Sequence, residues 1–507
     1  MFQQGTIVNC TLKNETHSRP FRDRRTTKRI MLSTRPVGVD NSGRKYLPAA
    51  ASASESRSPN QELMPLTARV NRADHLEIGG CDVTVLVERF GSPLYIVDEE
   101  TLRTACRQYR EALSRYYPGQ WQVIYASKAW SCLAICAVAA QEGLGIDVVS
   151  GGELHTALTA GASPESIYLH GNNKSREELQ LAIETGCTVV ADNWLDLLTI
   201  ADISKKARQP VRLMLRFTPG IECHTHEYIR TGHLDSKFGF DPDWADEVFS
   251  FVSQHPALSC TGLHAHIGSQ IFELQPHEDL AGVLVHWLKK AAQYGLPVRE
   301  LNVGGGLGIR YTESDDPPSI DAWVKTVCVS IAGALGSEGL PLPKLLCEPG
   351  RSIVGPACVT AYTAGSQKAI PGIRTYLSVD GGMSDNPRPI TYQAVYRAVV
   401  ANRMGDPLTE KVTVAGKHCE SGDILIQEAE LPKTEPGDIL VVPGTGAYNY
   451  SMASNYNRLP RPAAVLVRDG EANVILQRET YQDLLRLDRL PARLIPESGI
   501  TPPLPQE

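Results

Sequence analysis

From about residue 92 the chain alternates between short apolar runs and longer stretches whose apolar residues recur three and four positions apart. SerProLeuTyrIleValAsp (92–98) predicts a strand, and 99–113 has helical spacing behind an acidic start. Strand-like runs then end at 123–127, 145–149, 168–171, 188–191, 213–217, 262–266, 301–304 and 344–350, with helix-like stretches between most of them. Strands alternating with helices imply a parallel sheet. About eight such units over roughly 260 residues match an α/β fold of the TIM-type (β/α)8 barrel class in size. Beyond about residue 355 the pattern changes to alternating segments such as LysValThrValAla and AspIleLeuValVal, which predict a separate C-terminal β domain. The expected organisation is a disordered basic tail and linker at 1–74, then a strand segment at 75–95 joining the β domain. A barrel follows at 96–354, the β domain at 355–495 and a tail at 496–507. Within the first part, the Pro/Ala/Ser-rich stretch 47–65 reads as a linker without structure.

Composition narrows the function. The chain has 507 residues, 42% of them hydrophobic, enough for a large domain and a second one. No apolar run approaches the roughly 20 residues of a membrane-spanning helix, so no membrane partner is expected. Residues 1–60 carry eleven Lys/Arg and four Asp/Glu, a net +7, which leaves −14 on the remainder and −7 overall. An acidic body argues against nucleic acid as a partner. The twelve cysteines form no Cys-x-x-Cys pair and no Cys/His cluster at zinc spacing, so no metal is expected. Cys132 and Cys136 read as one face of a buried helix. Free thiols without a secretory signal point to a reducing compartment, the cytoplasm. The Arg/Ser/Thr-rich start reads as an unaddressed tail, as a transit peptide that would direct the chain to a plastid, or as a segment upstream of a true start at Met31.

The polar and glycine residues cluster just after the strands, where a barrel carries its chemistry. Lys128 follows the first strand in an apolar context, where desolvation would lower its pKa and free the amine for a Schiff base. Taken alone, a lysine after a strand is an ordinary surface residue. Gly304, Gly305 and Gly306 follow a later strand and allow close backbone approach to a phosphate, although a glycine triplet is more often a turn. GluProGlyArg (348–351) puts a carboxylate and a guanidinium at a strand end. Glu348 could keep a pyridine nitrogen protonated, and Arg351 could pair with a phosphate or a substrate carboxylate. A surface ion pair is the plainer alternative. His266 could stack on a ring face and Ser269 could donate to a phosphate or ring oxygen, against the reading of a buried structural histidine. In the β domain, Cys419 with Glu420 joins a thiol and a carboxylate on a probable loop, a combination able to return a proton to a carbanion. Arg388 and Tyr392 could hold a substrate carboxylate. Tyr448 lies in the glycine-rich turn GlyThrGlyAlaTyr, where packing is the default.

Together the segments TyrAlaSerLysAla (125–129), GlyIleAspValValSerGlyGlyGluLeu (145–154), HisGlyAsnAsnLysSer (170–175), HisThrHisGluTyrIle (224–229), AspSerLysPheGly (235–239), HisIleGlySerGln (266–270), GlyGlyGly, GluProGlyArgSer, the CysGlu loop and GlyAlaTyrAsnTyrSerMetAlaSerAsnTyrAsn (446–457) resemble the pyridoxal-phosphate-dependent decarboxylases of the alanine-racemase fold. The match runs from about residue 85 to 480. The resemblance implies the fold-type III arrangement, with pyridoxal 5′-phosphate as cofactor and Lys128 as its covalent anchor. It implies that His266 stacks on the ring, that Ser269, Gly304, Gly305, Gly306, Glu348, Pro349, Gly350 and Arg351 hold phosphate and ring, and that Glu348 meets the ring nitrogen. Arg351, Arg388, Tyr392 and Glu420 would bind substrate, Tyr448 would touch both ligands, and Cys419 would donate the proton. It further implies a homodimer with composite sites and a small amino acid as substrate, meso-diaminopimelate giving L-lysine. The alternatives are an ornithine- or arginine-type decarboxylase, a racemase of the same barrel, or a non-catalytic regulator. Trp130, where the family commonly has asparagine, and SerAspAsnProArgPro (384–389) depart from the family pattern.

Overall fold

The computed structural model describes residues 40–48, 57–205, 210–221 and 235–494. The motif at 224–229, the basic stretch before residue 40 and the tail expected at 496–507 lie outside them. Eight parallel strands close into a barrel: Trp121–Ala126, Gly145–Val148, Ile167–Leu169, Thr188–Ala191, Val211–Arg216, Leu258–His264, Glu300–Asn302 and Lys344–Cys347, the last pairing with the first. Strands such as Gly145–Val148 and Thr188–Ala191 are buried at every position, which is why they read as continuous apolar runs. Ile124, Tyr168, Val190, Met214 and Leu346 fill the barrel interior as one cluster. The barrel is therefore a packed core, open to chemistry at its ends.

Local chemistry sets the helices. Asp98 accepts a hydrogen bond from the Thr101 N–H at 3.3 Å, and Glu99 and Glu100 occupy the first turn of the helix Glu99–Tyr116. Ser175 and Glu178 form a reciprocal capping box on Arg176–Thr185, and Gly186 ends that helix in the left-handed region. The long apolar helix Ile320–Ser337 buries Trp323, Val327 and Ile331 against neighbouring barrel helices.

The β domain is a nine-stranded sheet, and Leu94–Asp98 lies inside it. That strand pairs antiparallel with Cys358–Ile370 and parallel with Ala463–Arg468. The strand thus runs through the expected boundary at 95/96 and ends at Asp98, because its ladder continues that far.

Two pieces of the segment expected to be tail and linker, residues 40–48 and 57–74, are built into the fold, which corrects the reading of those residues as disordered. Ser42 bridges to Pro407, and Tyr46 is buried. The amide of Asn60 is fully buried and donates to the carbonyls of Gly308 at 3.1 Å and Pro318 at 2.8 Å. Arg69–Val70, Leu76–Ile78 and Cys81–Asp82 make a small antiparallel sheet. Composition concealed this, because a few well-placed side chains such as Asn60 and Met64 anchor a stretch that carries no periodicity.

Candidate functional site

Nearly every barrel strand delivers a polar side chain at its C-terminal end. Lys128 lies on the tight turn Ser127–Ala129 after the first strand. Asp147 comes from the second, His170 follows the third, Arg216 closes the fifth, and His264 and His266 come from the end of the sixth. Asn302 closes the seventh and Glu348 follows the eighth. His264 is the last residue of its strand and His266 lies just beyond it, and both line the same small cavity.

The turn bearing Lys128 is clamped to the β domain. The Ala129 carbonyl accepts from the Tyr448 N–H and from the Ser451 hydroxyl, each at 2.9 Å. The buried Trp130 ring stacks on Tyr450, centroids 5.7 Å apart, and packs beside Tyr95. The family departure at Trp130 therefore fills the joint between domains. The other departure lies in a buried turn where Asp385 accepts from the Tyr362 hydroxyl at 2.5 Å and from the Gly382 N–H at 2.8 Å.

Lys128 borders a cavity of about 650 Å³ whose wall includes His266, Ser269, Glu348, Arg351 and Tyr448. Enclosure pulls the pKa of Lys128 down, but Tyr448, Asp147 and Glu348 outweigh it and leave the amine above its ordinary value. The expectation of a lowered pKa is thus corrected: desolvation acts, and the nearby acidic groups win. His266 behaves in the opposite way. Burial, reinforced by Lys128 and Arg216, holds it well below the usual imidazole range, so the ring is neutral.

The glycine turn packs against these groups. The Gly305 N–H donates to His266 Nδ1 at 3.2 Å, and the Glu348 N–H donates to the Gly304 carbonyl at 2.8 Å. Gly304 has φ +65°, and a Cβ there would lie 2.6 Å from His266 Nδ1; one on Gly305 would lie 2.3 Å from the Glu348 carbonyl oxygen. Only glycine fits that approach. Gly350 continues the wall, and the Pro349 carbonyl beside it accepts from the Ala126 N–H at 3.1 Å. Arg351 donates to Ser269 Oγ at 3.1 Å and to the Tyr311 hydroxyl at 2.8 Å, and lies over the Tyr448 ring.

Arg388 reaches the cavity from the β domain on the short helix Arg388–Tyr392. It donates to the Tyr396 hydroxyl at 2.5 Å and lies over the Tyr311 ring at 4.5 Å. Tyr392 lines the same wall. Cys419 and Glu420 do not join this group within the chain: both are exposed and neither borders the cavity. The Cys419 N–H donates to Asn457 Oδ1 at 2.8 Å.

The residue-by-residue sequence reading missed Asp147, His170, His264 and Asn302. They stood inside the quoted motifs or at strand ends, and their signal was that position together with buried polarity. Asn302 donates to Glu348 Oε1 at 2.6 Å, and His264 Nε2 lies 3.1 Å from Glu348 Oε2. His170 Nε2 lies 2.9 Å from Glu348 Oε1. These partners hold the Glu348 carboxyl well below its usual range: burial alone would raise it, but the adjacent His170 and His264 imidazoles prevail. An enclosed amine, a flat neutral imidazole, a glycine cradle and an ionised carboxylate suit an aromatic aldehyde bearing a phosphate.

Residues 99–355 match the family described as pyridoxal-dependent decarboxylase, pyridoxal binding domain. The chain is 63% identical over 473 residues to a diaminopimelate decarboxylase of Synechocystis sp., covering 92% of this chain and all of that one. It is 46% identical to the Bacillus subtilis diaminopimelate decarboxylase, over 83% of this chain and 97% of the relative. The solved structure of the M. jannaschii diaminopimelate decarboxylase in complex with L-lysine superposes with a TM-score of 0.80 at 31% identity, over 85% of this chain and 99% of that one. With that fold and those strand-end residues in place, the chain belongs to the diaminopimelate decarboxylase family of pyridoxal-dependent decarboxylases.

Proposed function

We propose that this enzyme binds pyridoxal 5′-phosphate on Lys128 and converts meso-diaminopimelate to L-lysine and carbon dioxide. The observation that carries the reading is the Lys128 amine opening into a cavity walled by Glu348, His266, Gly305 and Gly306. Lys128 would hold the aldehyde carbon, and Ser269, Arg351 and the glycine turn would hold the phosphate. His266 would lie against the ring and Glu348 at its nitrogen. Bound there, the cofactor supplies an electron-poor ring that accepts the electron pair left when carbon dioxide departs.

The protein's own groups do the rest. Arg388 is a buried cation whose Nε has no hydrogen-bond partner among the described residues, which supports a distal carboxylate on the substrate. Ornithine or arginine would bring a cation to that place and meet repulsion. Tyr392 and Tyr448 would orient the substrate, with Glu420 contacting its amino end. The Cys419 thiol would return a proton to the carbon that has lost its carboxylate.

We infer that two copies pair so that each Cys419–Glu420 loop completes its partner's cavity. Support comes from the exposure of both residues outside their own cavity. A cytoplasmic location fits the ten described cysteines, all free thiols. Recovery of the chain from plastids would instead favour the transit-peptide reading.

The test is carbon dioxide release from meso-diaminopimelate, ornithine and arginine in parallel, with borohydride trapping of the cofactor. Release from the first alone, with the label on Lys128, is expected. Activity on either diamine precursor without activity on the first overturns the substrate, and a label elsewhere overturns the anchor.

A further inference from the structure

Three barrel strands converge on one buried carboxylate carried at the end of a fourth. Asn302 donates to Glu348 Oε1 at 2.6 Å, His170 Nε2 stands 2.9 Å from the same oxygen, and His264 Nε2 stands 3.1 Å from Oε2. A carboxylate offers about four lone-pair sites, so the hydrogen bonds of Asn302 and His264, with His170 beside them as an ion-pair partner, leave room for a further donor. Glu348 also borders the cavity that holds Lys128 and a smaller one of about 350 Å³ beside it. The His170 and His264 rings meet edge to face with centroids 4.9 Å apart, so each restricts the other's rotation.

The two imidazoles differ in charge. Burial pulls His264 down to about 4, against the pull of Glu348, so it is a neutral donor through Nε2. His170 is faced by Asp147 from the second strand at 3.8 Å, by Glu348 from the eighth, by Arg216 from the fifth and by His264 from the sixth. Burial and Arg216 oppose its charge, but the two carboxylates prevail and its pKa is raised. Without that cation, Asp147 and Glu348 would be two buried carboxylates sharing one site, an arrangement that captures a proton on one of them.

We propose that His170 and His264 are positioning residues for the cofactor: His170 carries the proton that would otherwise fall on Asp147 or Glu348, and His264 holds the second carboxylate oxygen, so that the ring nitrogen meets an ionised acceptor. The inference rests on the pyridoxal phosphate reading above. It assigns the two histidines to the ring's electronics, beyond the anchoring and stacking groups.

The experiment measures the cofactor dissociation constant and visible spectrum of wild type, His170→Gln, His264→Gln and His264→Ala between pH 6 and 8.5. His170→Gln keeps a donor and removes the charge. Its constant relative to wild type should rise about tenfold as pH falls through this range, the size of a one-unit shift in proton affinity. His264→Ala should weaken binding without that pH trend, and His264→Gln should recover part of the loss. A ratio for His170→Gln that stays flat with pH overturns the proposal. A wild-type protein that takes up no pyridoxal phosphate sinks the cofactor reading itself, which is a different outcome. Should His170→Gln fail to fold, infrared spectra of the wild-type apoenzyme decide the matter. A carboxylic-acid stretch at pH 7 that vanishes in Glu348→Gln refutes the proposal, and a carboxylate signal that vanishes there supports it.

Discussion

Around Glu348, side chains from four strands of one chain already touch, whereas Cys419 and Glu420 lie exposed and away from the cavity they are proposed to serve. The first region is carried on strand ends within a packed barrel, which holds groups with little freedom. The second is carried on a loop of the β domain. The contrast teaches that holding a cofactor and delivering a proton place different demands on a fold. A ring needs fixed surroundings before it arrives. A proton donor need only arrive with the other parts assembled.

The largest test of this contrast removes the anchor. Lys128→Ala should lower turnover on the order of 10⁴-fold or more, as losing a covalent centre does, and prevent borohydride trapping. Steady-state kinetics and mass spectrometry read both. Cys419→Ala should cut kcat by about 10²-fold, the low end for a general acid, while cofactor content stays at the wild-type level. A loss of cofactor in that variant would erase the distinction between the two regions. Mixing the two inactive variants sharpens it further. If sites are composite, random re-pairing yields mixed dimers with one intact site, and activity should return to about one quarter of wild type. No recovery after subunit exchange, shown by native mass spectrometry, would place Cys419 with its own chain's cavity.

The smallest effect concerns the border between the regions, the turn leading to Arg388. Burial pushes the Asp385 carboxyl up to about 7, although the Tyr362 hydroxyl and the Gly382 N–H favour its charged form. Its folded pKa lies above the unfolded value near 3.9, so the native state binds more protons between the two. Stability from this group is therefore complete below about pH 4 and is lost as pH rises through about 7, at up to about 1.4 kcal/mol per pH unit. Asp385→Asn should flatten that slope. Urea unfolding at pH 5 and pH 8 measures it, and an unchanged slope in the variant would assign the pH dependence elsewhere.

The barrel was legible because its strands, buried on both faces, read as apolar runs with polar residues at their ends. Lys128, His266, the 304–306 glycines and Glu348 could be placed at the site from that pattern and the motifs together. The sign of the Lys128 shift could not, since it depends on Tyr448 from the β domain and on Asp147 from a different strand. His170 and His264 escaped for the same reason: their meaning lies in convergence on Glu348, across 178 and 84 sequence positions respectively in the case of Glu348's two partners. Trp130 read only as a departure from the family pattern and proved to be a joint with Tyr450, because which way a ring points after a tight turn is a tertiary property. The segment 57–74 was lost to its composition. Its order comes from single anchors such as Asn60, which no periodic pattern announces.

The strand Leu94–Asp98 sits between Cys358–Ile370 and Ala463–Arg468. A chain leaving the ribosome therefore releases this strand long before either neighbour exists. The barrel, whose last strand ends at Cys347, can close while the strand waits unpaired, and the second domain is completed only near the end of synthesis. Early termination before residue 463 would leave a barrel with its mouth formed and a sheet missing one side. For this protein, the order of birth makes the container first and its cover last.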